Sequence, residues 1–565
     1  MSLPSSRGVG SAVHGRWLTG LPWMGAGLSG LMAALAFPLP GWSGLAWLSP
    51  GLLLLSMLGA SPGVAFRLGA FSGLVQFLIS LRWLLAIPFP SGAIAAWLSL
   101  SLYCALYPAL WTLWATLWIG RWTGASREGP VPWGLAASKL SGLPTIRRSL
   151  LWMGLGLGAA GLEVIRGRFL TGFPWNFWGI TQWRNLPLIQ IASVTGIFGV
   201  TALVHWVSLG VAGSVLQLIR STRQRTSWMS DLRLPVLVLL LVLAWGVRRL
   251  SVPRTSGVPV SLALVQPSIP QTLIWDEGAN PERFGTVFAL TRSALESKPD
   301  VLVWPEGSMP DITRGQFESV IRETAMAGAM WVFGTGFGRE VEGRPEHYNA
   351  ALLVDAQGRV VDQYLKRRLV IFGEYIPFEN TLPFMRWLTP IGSSFTAGTR
   401  AAAFPLGPGK PVVASPVICF EDMFPETTRD HVSDDTGFLL ELTNNGWFGE
   451  GSAQWQHTAG AVFRAVENGI TLVRCANNGL TCRIEPSGRV ADLFARDGSV
   501  YGPGVLRIEV AGRPKDQEPT WYRRHGDVFG ITCAVVAFLG IGSELLQRRR
   551  QTESRMSGAS ASNGA

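Results

Sequence analysis

Val412-Val413-Ala414-Ser415-Pro416-Val417-Ile418-Cys419-Phe420-Glu421-Asp422-Met423-Phe424-Pro425-Glu426 is an apolar run that stops at a thiol, with two acids directly behind it. Such a run reads as a buried strand that ends at its edge, with the sulfur at the turn. Val301-Leu302-Val303-Trp304-Pro305-Glu306 has the same form and ends in a carboxylate. Val360-Val361-Asp362-Gln363-Tyr364-Leu365-Lys366 ends in an amine. A thiol, a carboxylate and a lysine at three strand ends can converge on one site and carry acyl transfer through a thioester.

The surrounding composition is that of a membrane protein. The 565 residues carry only 15% charged residues and 25 Trp, and mean hydropathy is +0.27. The net charge of +11 reads as Arg anchoring cytoplasmic loops. Without a dense basic patch interleaved with aromatics, no nucleic-acid surface is expected. The five Cys, at 104, 419, 475, 482 and 533, are scattered and odd in number. They form neither a disulfide framework nor a CxxC or Cys/His zinc motif, and no metal or cofactor is expected.

Apolar segments near 21–37, 42–59, 64–88, 92–120, 149–166, 187–219 and 234–250 are expected to span a bilayer, which takes about 20 residues each. Arg7 and Arg16 precede the first segment. Arg121, Arg127, Lys139, Arg147 and Arg148 lie between the fourth and fifth, and Arg220, Arg223, Arg225 and Arg233 between the sixth and seventh. The alternate loops at 38–41 and 87–91 carry no charge. The positive-inside rule then puts a 1–20 tail in the cytoplasm and the chain beyond a 21–255 bundle outside. A segment at 521–546 returns the chain, and Gln547-Arg548-Arg549-Arg550 opens an inner 547–565 tail, making eight spans. Glu163 and Arg166 share one face of the fifth segment at i, i+3. Intramembrane charges are costly, and two readings stand: an ion pair near the helix end, or a polar floor under a lipid site. Arg82, His205 and Cys104 read as structural or snorkelling groups.

From about 256 to 520 charges become frequent and apolar runs shorten. Strands are expected at 259–265, 301–304, 330–334, 349–354, 359–364, 412–418, 438–442, 470–475 and 481–485, with helices at 281–297, 315–327 and 455–468. Strands mixed with helices make one α/β domain. Asn478-Gly479 signals a type I′ hairpin, which would set Cys475 opposite Cys482, where a disulfide is one option. Phe384, Trp387, Leu388 and Ile391 fall on one helical face within 378–395. That face either packs on the core or forms an arm dipping into the outer leaflet.

Leu302-Val303-Trp304-Pro305-Glu306, Tyr364-Leu365-Lys366 with Phe372-Gly373-Glu374-Tyr375, and Ile418-Cys419-Phe420-Glu421 resemble the three catalytic segments of the nitrilase superfamily. Gln266-Pro267-Ser268-Ile269-Pro270-Gln271 with Trp275, Gly172-Phe173-Pro174-Trp175, Asn444-Asn445-Gly446-Trp447-Phe448-Gly449, Gln456-His457, Arg464-Ala465-Val466-Glu467 and Arg474-Cys475-Ala476-Asn477-Asn478-Gly479 resemble its membrane-bound branch, the apolipoprotein N-acyltransferases. The resemblance covers roughly 20–546. It implies an α-β-β-α sandwich on a polytopic helical bundle, in a bacterial inner membrane, with the catalytic domain periplasmic and both termini cytoplasmic. It also implies a phospholipid acyl donor and a diacylglyceryl-cysteine apolipoprotein as acceptor, with the bilayer as partner. Nothing in the sequence demands an oligomer, and a monomer is expected. Arg368, Ile371 and Phe420 depart from the family's usual His, Pro and Tyr; Phe420 removes one hydroxyl.

In this reading Cys419 is the nucleophile, Glu306 the general base and Lys366 the oxyanion partner, with the backbone N–H after Cys419. Glu374 orients Lys366, as the family pattern implies, and Glu421 holds either substrate or the nucleophile loop, with Phe420 beside it. Trp275, Trp175, Tyr375, Phe384, Trp387, Asn445 and Trp447 are candidates for substrate contact. The same triad serves a membrane-anchored amidase, in which water resolves the intermediate. A transporter or lipid-binding protein with a decayed enzyme domain would have lost a triad member, and all three are present.

Overall fold

The computed structural model describes residues 9–123, 130–221, 228–252, 257–274, 276–379, 381–389, 391–409, 411–514 and 517–539. Trp275, the 547–565 tail and the first eight residues of the expected 1–20 tail lie outside the described residues.

Among the described residues, five helices are long and apolar enough to cross a membrane: Pro62–Ser80, Pro90–Thr123, Thr145–Arg166, Ile197–Ser221 and Arg233–Ser251. They coincide with the third to seventh expected segments. The other expected spans are shorter apolar helices, Gly20–Ala36, Ser43–Met57 and Val528–Leu539, the first within a helix reaching back to Val9. Two helices approach each other through small residues, as bilayer packing favours. A Cβ at Gly69 would lie 2.5 Å from the Pro108 carbonyl oxygen, and one at Gly73 2.9 Å from Ala105 Cα.

The expected single span over 187–219 is broken. Two short helices, Leu186–Ile189 and Ala192–Thr195, precede Ile197–Ser221. The break falls at Gly196, whose φ of +64° disfavours other residues. Helix N-termini need acceptors, and here Glu467 supplies one: its Oε1 accepts the Ile197 N–H at 2.8 Å. Hydropathy along 187–219 cannot reveal a cap delivered from 270 residues downstream.

Among the described residues of the second half, twelve strands form: β1 (Pro259–Gln266), β2 (Val301–Trp304), β3 (Met330–Val341), β4 (Arg344–Val354), β5 (Val360–Leu365), β6 (Phe404–Leu406), β7 (Val412–Ile418), β8 (Thr436–Thr443), β9 (Thr471–Ala476), β10 (Cys482–Ile484), β11 (Val490–Ala491) and β12 (Gly504–Ala511). They make two six-stranded sheets, ordered β12-β1-β2-β3-β4-β5 and β11-β10-β9-β8-β7-β6. All nine expected strands are present. β6, β11 and β12 were not expected: β6 and β11 are too short for a periodic signal, and β12 is half-exposed. Leu262, Leu264, Val301, Val303 and Leu353 of one sheet meet Ile418, Leu440, Leu442, Val473 and Cys475 of the other in a dry core. Helices Asn280–Leu295 and Arg314–Ala327 cover the first sheet's outer face. The second sheet's outer face is covered by Ser452–Asn468, which shares one apolar core with the bundle. That double packing is why this helix is buried on nearly every side.

Two local expectations are corrected. The β9–β10 connection is not a two-residue type I′ turn: Gly479 has φ +87°, Asn478 is not in the left-handed region, and Cys482 pairs with Arg474. Cys475 therefore faces the inter-sheet core and Cys482 the helix side. A one-residue shift moves a side chain to the other face of a sheet, and both thiols are free. The 378–395 stretch is no amphipathic α-helix but a six-residue 3₁₀ turn, Pro383–Leu388, within loop. The prolines at 377, 383 and 390 disrupt a helical ladder.

Candidate active site

Val412–Ile418 delivers Cys419 to the sheet edge in a left-handed conformation, φ +52°. A non-glycine residue there stores strain of roughly 1–3 kcal/mol and needs its surroundings to hold it. Glu421, fully buried, supplies that hold. Its Oε2 accepts the Ile418 N–H at 2.8 Å. Its Oε1 accepts the Arg367 and Arg368 N–H groups at 2.7 and 3.0 Å. The Tyr364 hydroxyl donates to the same carboxylate at 2.7 Å. One side chain thus ties the turn at Cys419 to the chain just past Lys366.

Lys366 is 1% exposed and places Nζ 3.1 Å from Glu306 Oε1 and 2.8 Å from Glu374 Oε1. Burial alone would lower its pKa, but the carboxylates of Glu306 and Glu374, with Cys419, outweigh it and hold the ammonium well above its ordinary value. Burial raises Glu374; Lys366 opposes that and Glu306 adds to it. Burial likewise pushes the Cys419 thiol far up, Glu306 adds to the rise, and Lys366 opposes it. The resting sulfur is a neutral thiol, so a nucleophile must be made by moving its proton. Glu306 is fixed for such work: the Asn444 N–H donates to its Oε2 at 2.9 Å and Asn349 Nδ2 to its Oε1 at 2.7 Å.

Asn349 escaped the sequence reading. Its Nδ2 also donates to Glu374 Oε1 at 2.6 Å, so one amide spaces the two carboxylates. The available signal was an amide inside β4, between Tyr348 and Ala350, in a strand where Asn is disfavoured. Tyr364, which binds Glu421, and Asn444, whose backbone binds Glu306, were quoted only within motifs.

Behind Cys419 lies a buried polar cluster. His457 Nε2 is 2.6 Å from Asp422 Oδ1, and Arg474 Nη1 is 3.0 Å from Asp422 Oδ2 and 2.5 Å from Glu441 Oε2. Asp422, Glu441 and His457 are the one described group with metal-ligand spacing. The Arg474 guanidinium already supplies a cation there.

The expected substrate contacts divide. Trp175 is buried beside the nucleophile loop, its ring 6.2 Å from Phe420 and 5.4 Å from His457, and its Nε1 donates to Gln456 Oε1 at 2.7 Å. Trp83 Nε1 donates to the same oxygen at 3.1 Å, so bundle and α/β domain meet beside Cys419. Asn445 is fully buried with Oδ1 3.0 Å from His457 Nδ1, which makes it part of the cluster rather than a surface contact. Tyr375 and Trp447 are half-buried, Tyr375 directly after Glu374 and Trp447 in the turn Asn445–Phe448. Phe384 and Trp387 are 51% and 81% exposed, with Phe378 beside them at 72%. Unlike an ordinary soluble surface, this one presents three large apolar side chains together.

Residues 29–210 match the family model of the apolipoprotein N-acyltransferase N-terminal domain, and residues 261–499 match that of the carbon-nitrogen hydrolases. The apolipoprotein N-acyltransferase of Geobacter metallireducens is 35% identical over 527 residues, 91% of this chain and 94% of its own. That of Bradyrhizobium diazoefficiens is 33% identical, over 67% of this chain and 70% of its own. Among solved structures, an amidase from Nesterenkonia sp. is similar at 19% identity and a TM-score of 0.32, over 49% of this chain and 95% of that one. With both halves matched in order and one relative aligned across nearly the whole length, the chain belongs to the apolipoprotein N-acyltransferase family.

Proposed function

We propose that the protein moves an acyl chain from a phospholipid to the N-terminal α-amine of a diacylglyceryl-cysteine apolipoprotein, by a ping-pong route through Cys419. The carrying observation is the buried Lys366 ammonium, shared between Glu306 and Glu374 next to a neutral thiol at a strained strand end. Glu306 takes the Cys419 proton as sulfur attacks the ester carbon of the phospholipid. Lys366 meets the oxyanion. The carbon–oxygen bond breaks, Glu306 returns the proton to the leaving lysophospholipid alkoxide, and a thioester remains. The lipoprotein amine then attacks the thioester carbon. Glu306 accepts its proton and passes it to the departing thiolate, restoring the enzyme.

The setting supports a lipid donor: Trp175 of the bundle packs on Phe420 beside the nucleophile, and Phe378, Phe384 and Trp387 are exposed in the stretch that follows Glu374. Loop charges support an inner-membrane orientation with the 256–520 domain periplasmic and the termini cytoplasmic. The test is incubation of purified protein with acyl-labelled phospholipid. Hydroxylamine-sensitive label on the wild type, absent from Cys419→Ala and discharged by a diacylglyceryl-cysteine peptide, is the expected result. No label, with turnover of small amides, would replace this reading by an amidase.

A further inference from the structure

The Glu163–Arg166 pair, 3.6 Å apart, borders a chamber inside the bundle. It has room for roughly four to six water molecules at about 10–15 Å³ each. Its polar lining is out of the ordinary. Asn176 is fully buried, and neither its Oδ1 nor its Nδ2 meets a partner among the described residues. Gln76, 4% exposed, and Ser72 make no side-chain hydrogen bond among the described residues either. Buried amides without partners are rare in folded proteins and mark a missing ligand or solvent.

The charged pair is already spoken for. Arg166 donates to the carbonyls of Phe173, Trp175 and Asn176. Glu163 accepts from the Trp178 N–H at 2.7 Å and from the Thr201 hydroxyl at 2.7 Å. Among the described lining residues, no Arg or Lys is left free for a phosphate and no carboxylate for an amine. What remains is the two amides of Asn176 and Gln76 and the Ser72 hydroxyl, offering donors and acceptors together, with the His205 imidazole beside them bonded through Nδ1 to the Thr201 carbonyl. Ser29, Ser49 and His205 also line it, and the remaining lining is largely apolar, including Leu53, Phe77 and Leu162. Tyr107 and Pro108, half-buried, line it too, flanked by Leu106 and Leu110, which are 48% and 37% exposed on the outside of the bundle. That flank of the bundle suits acyl chains rather than bulk water.

We propose that this chamber binds the glycerol-ester head of a neutral membrane lipid, held by Gln76, Asn176 and Ser72, with the acyl chain leaving past Tyr107 and Pro108. A glycerol unit matches the chamber in size, in neutrality and in its mix of donors and acceptors. The site is linked to the candidate active site through one short stretch, since Asn176 follows Trp175, whose ring packs on Phe420.

The inference does not depend on acyl transfer, so it is tested in full-length Cys419→Ala protein. The probe is a 1-acylglycerol with a diazirine near the ester, photolysed in lipid nanodiscs, and cross-linked peptides are mapped by mass spectrometry. Saturable labelling of Pro62–Ser80, Pro90–Thr123 and Thr145–Arg166 is expected, displaced by excess 1-oleoylglycerol and not by phosphatidylglycerol. Gln76→Leu is expected to weaken apparent affinity by about ten-fold, the loss of one good hydrogen bond. Ser72→Ala gives a second, milder variant, and elution profile and thermal melt confirm folding of each. Labelling that does not saturate and also spreads over the outer helix Arg233–Ser251 would overturn the proposal, leaving water as the partner of these groups. Equal displacement by the anionic lipid, or unchanged affinity in both folded variants, would overturn it as well.

Discussion

Asn349→Leu tests the reasoning most directly, because one amide holds two catalytic-site carboxylates. Its Nδ2 donates at 2.7 Å to Glu306 and at 2.6 Å to Glu374. A hydrogen bond to a charged group contributes about 1.5–3 kcal/mol. Its loss disfavours the ionised form, and one pKa unit corresponds to about 1.36 kcal/mol. Both carboxylates also share Lys366, so losing the amide disturbs them together. The sign follows at Glu374, which burial already raises: losing a donor raises it further, so the site holds a proton to higher pH. The acid limb of the kcat/KM profile is expected to move up by about 1–2 units, with a fall of about 10- to 100-fold at neutral pH and partial recovery at alkaline pH. Leucine is nearly isosteric, and the half-buried position leaves the fold intact. The assay is acyl transfer to a diacylglyceryl peptide from pH 5 to 9, beside a thermal melt. A folded variant with an unmoved acid limb would refute the role assigned to the Asn349 amide.

Four further outcomes follow from the same geometry. Lys366→Met removes the proposed oxyanion partner and is expected to lower kcat by about 10²–10³, with single-turnover acylation of Cys419 slowed equally; loss confined to KM would refute it. Because burial and Glu306 hold the Cys419 thiol neutral, iodoacetamide alkylation of resting enzyme is expected to rise steadily to pH 9 without a plateau, and a plateau near neutral pH would contradict this. Glu421→Gln sets an NH₂ against the N–H of Ile418 or of Arg367 and Arg368; each orphaned buried donor costs about 1–3 kcal/mol, so thermal stability and acylation rate should fall together, and an unchanged melt would refute the pinning. The double change Phe384→Ser and Trp387→Ser removes two exposed apolar anchors; it should raise KM for phospholipid in vesicles and spare kcat, whereas a kcat loss alone would point to a core role.

The apolar runs in Val412–Ile418, Val301–Trp304 and Val360–Leu365 mark three strands, and Cys419, Glu306 and Lys366, one or two residues past their ends, are the groups of the candidate site. Such patterns are local, because burial of one face or both is written in neighbouring side chains. The helices at 280–295, 314–327 and 452–468 were legible for the same reason. What those strands bring together was not. That Glu306, Lys366 and Glu374 share contacts depends on the sheet order β2-β3-β4-β5 and on Asn349 from β4. The 3₁₀ turn at Pro383–Leu388 overrode an apparent helical period, because three prolines remove donors that periodicity does not count. The β9–β10 register separated Cys475 from Cys482, since pairing is set by partner strands and loop length rather than by one dipeptide. The break at Gly196 is held by Glu467 from the other domain. The sequence by itself determined the strand ends and the residue types that stand at them. Only the tertiary structure decided which of those groups touch, because hydrogen bonds between residues far apart in the chain exist only once the sheets have packed.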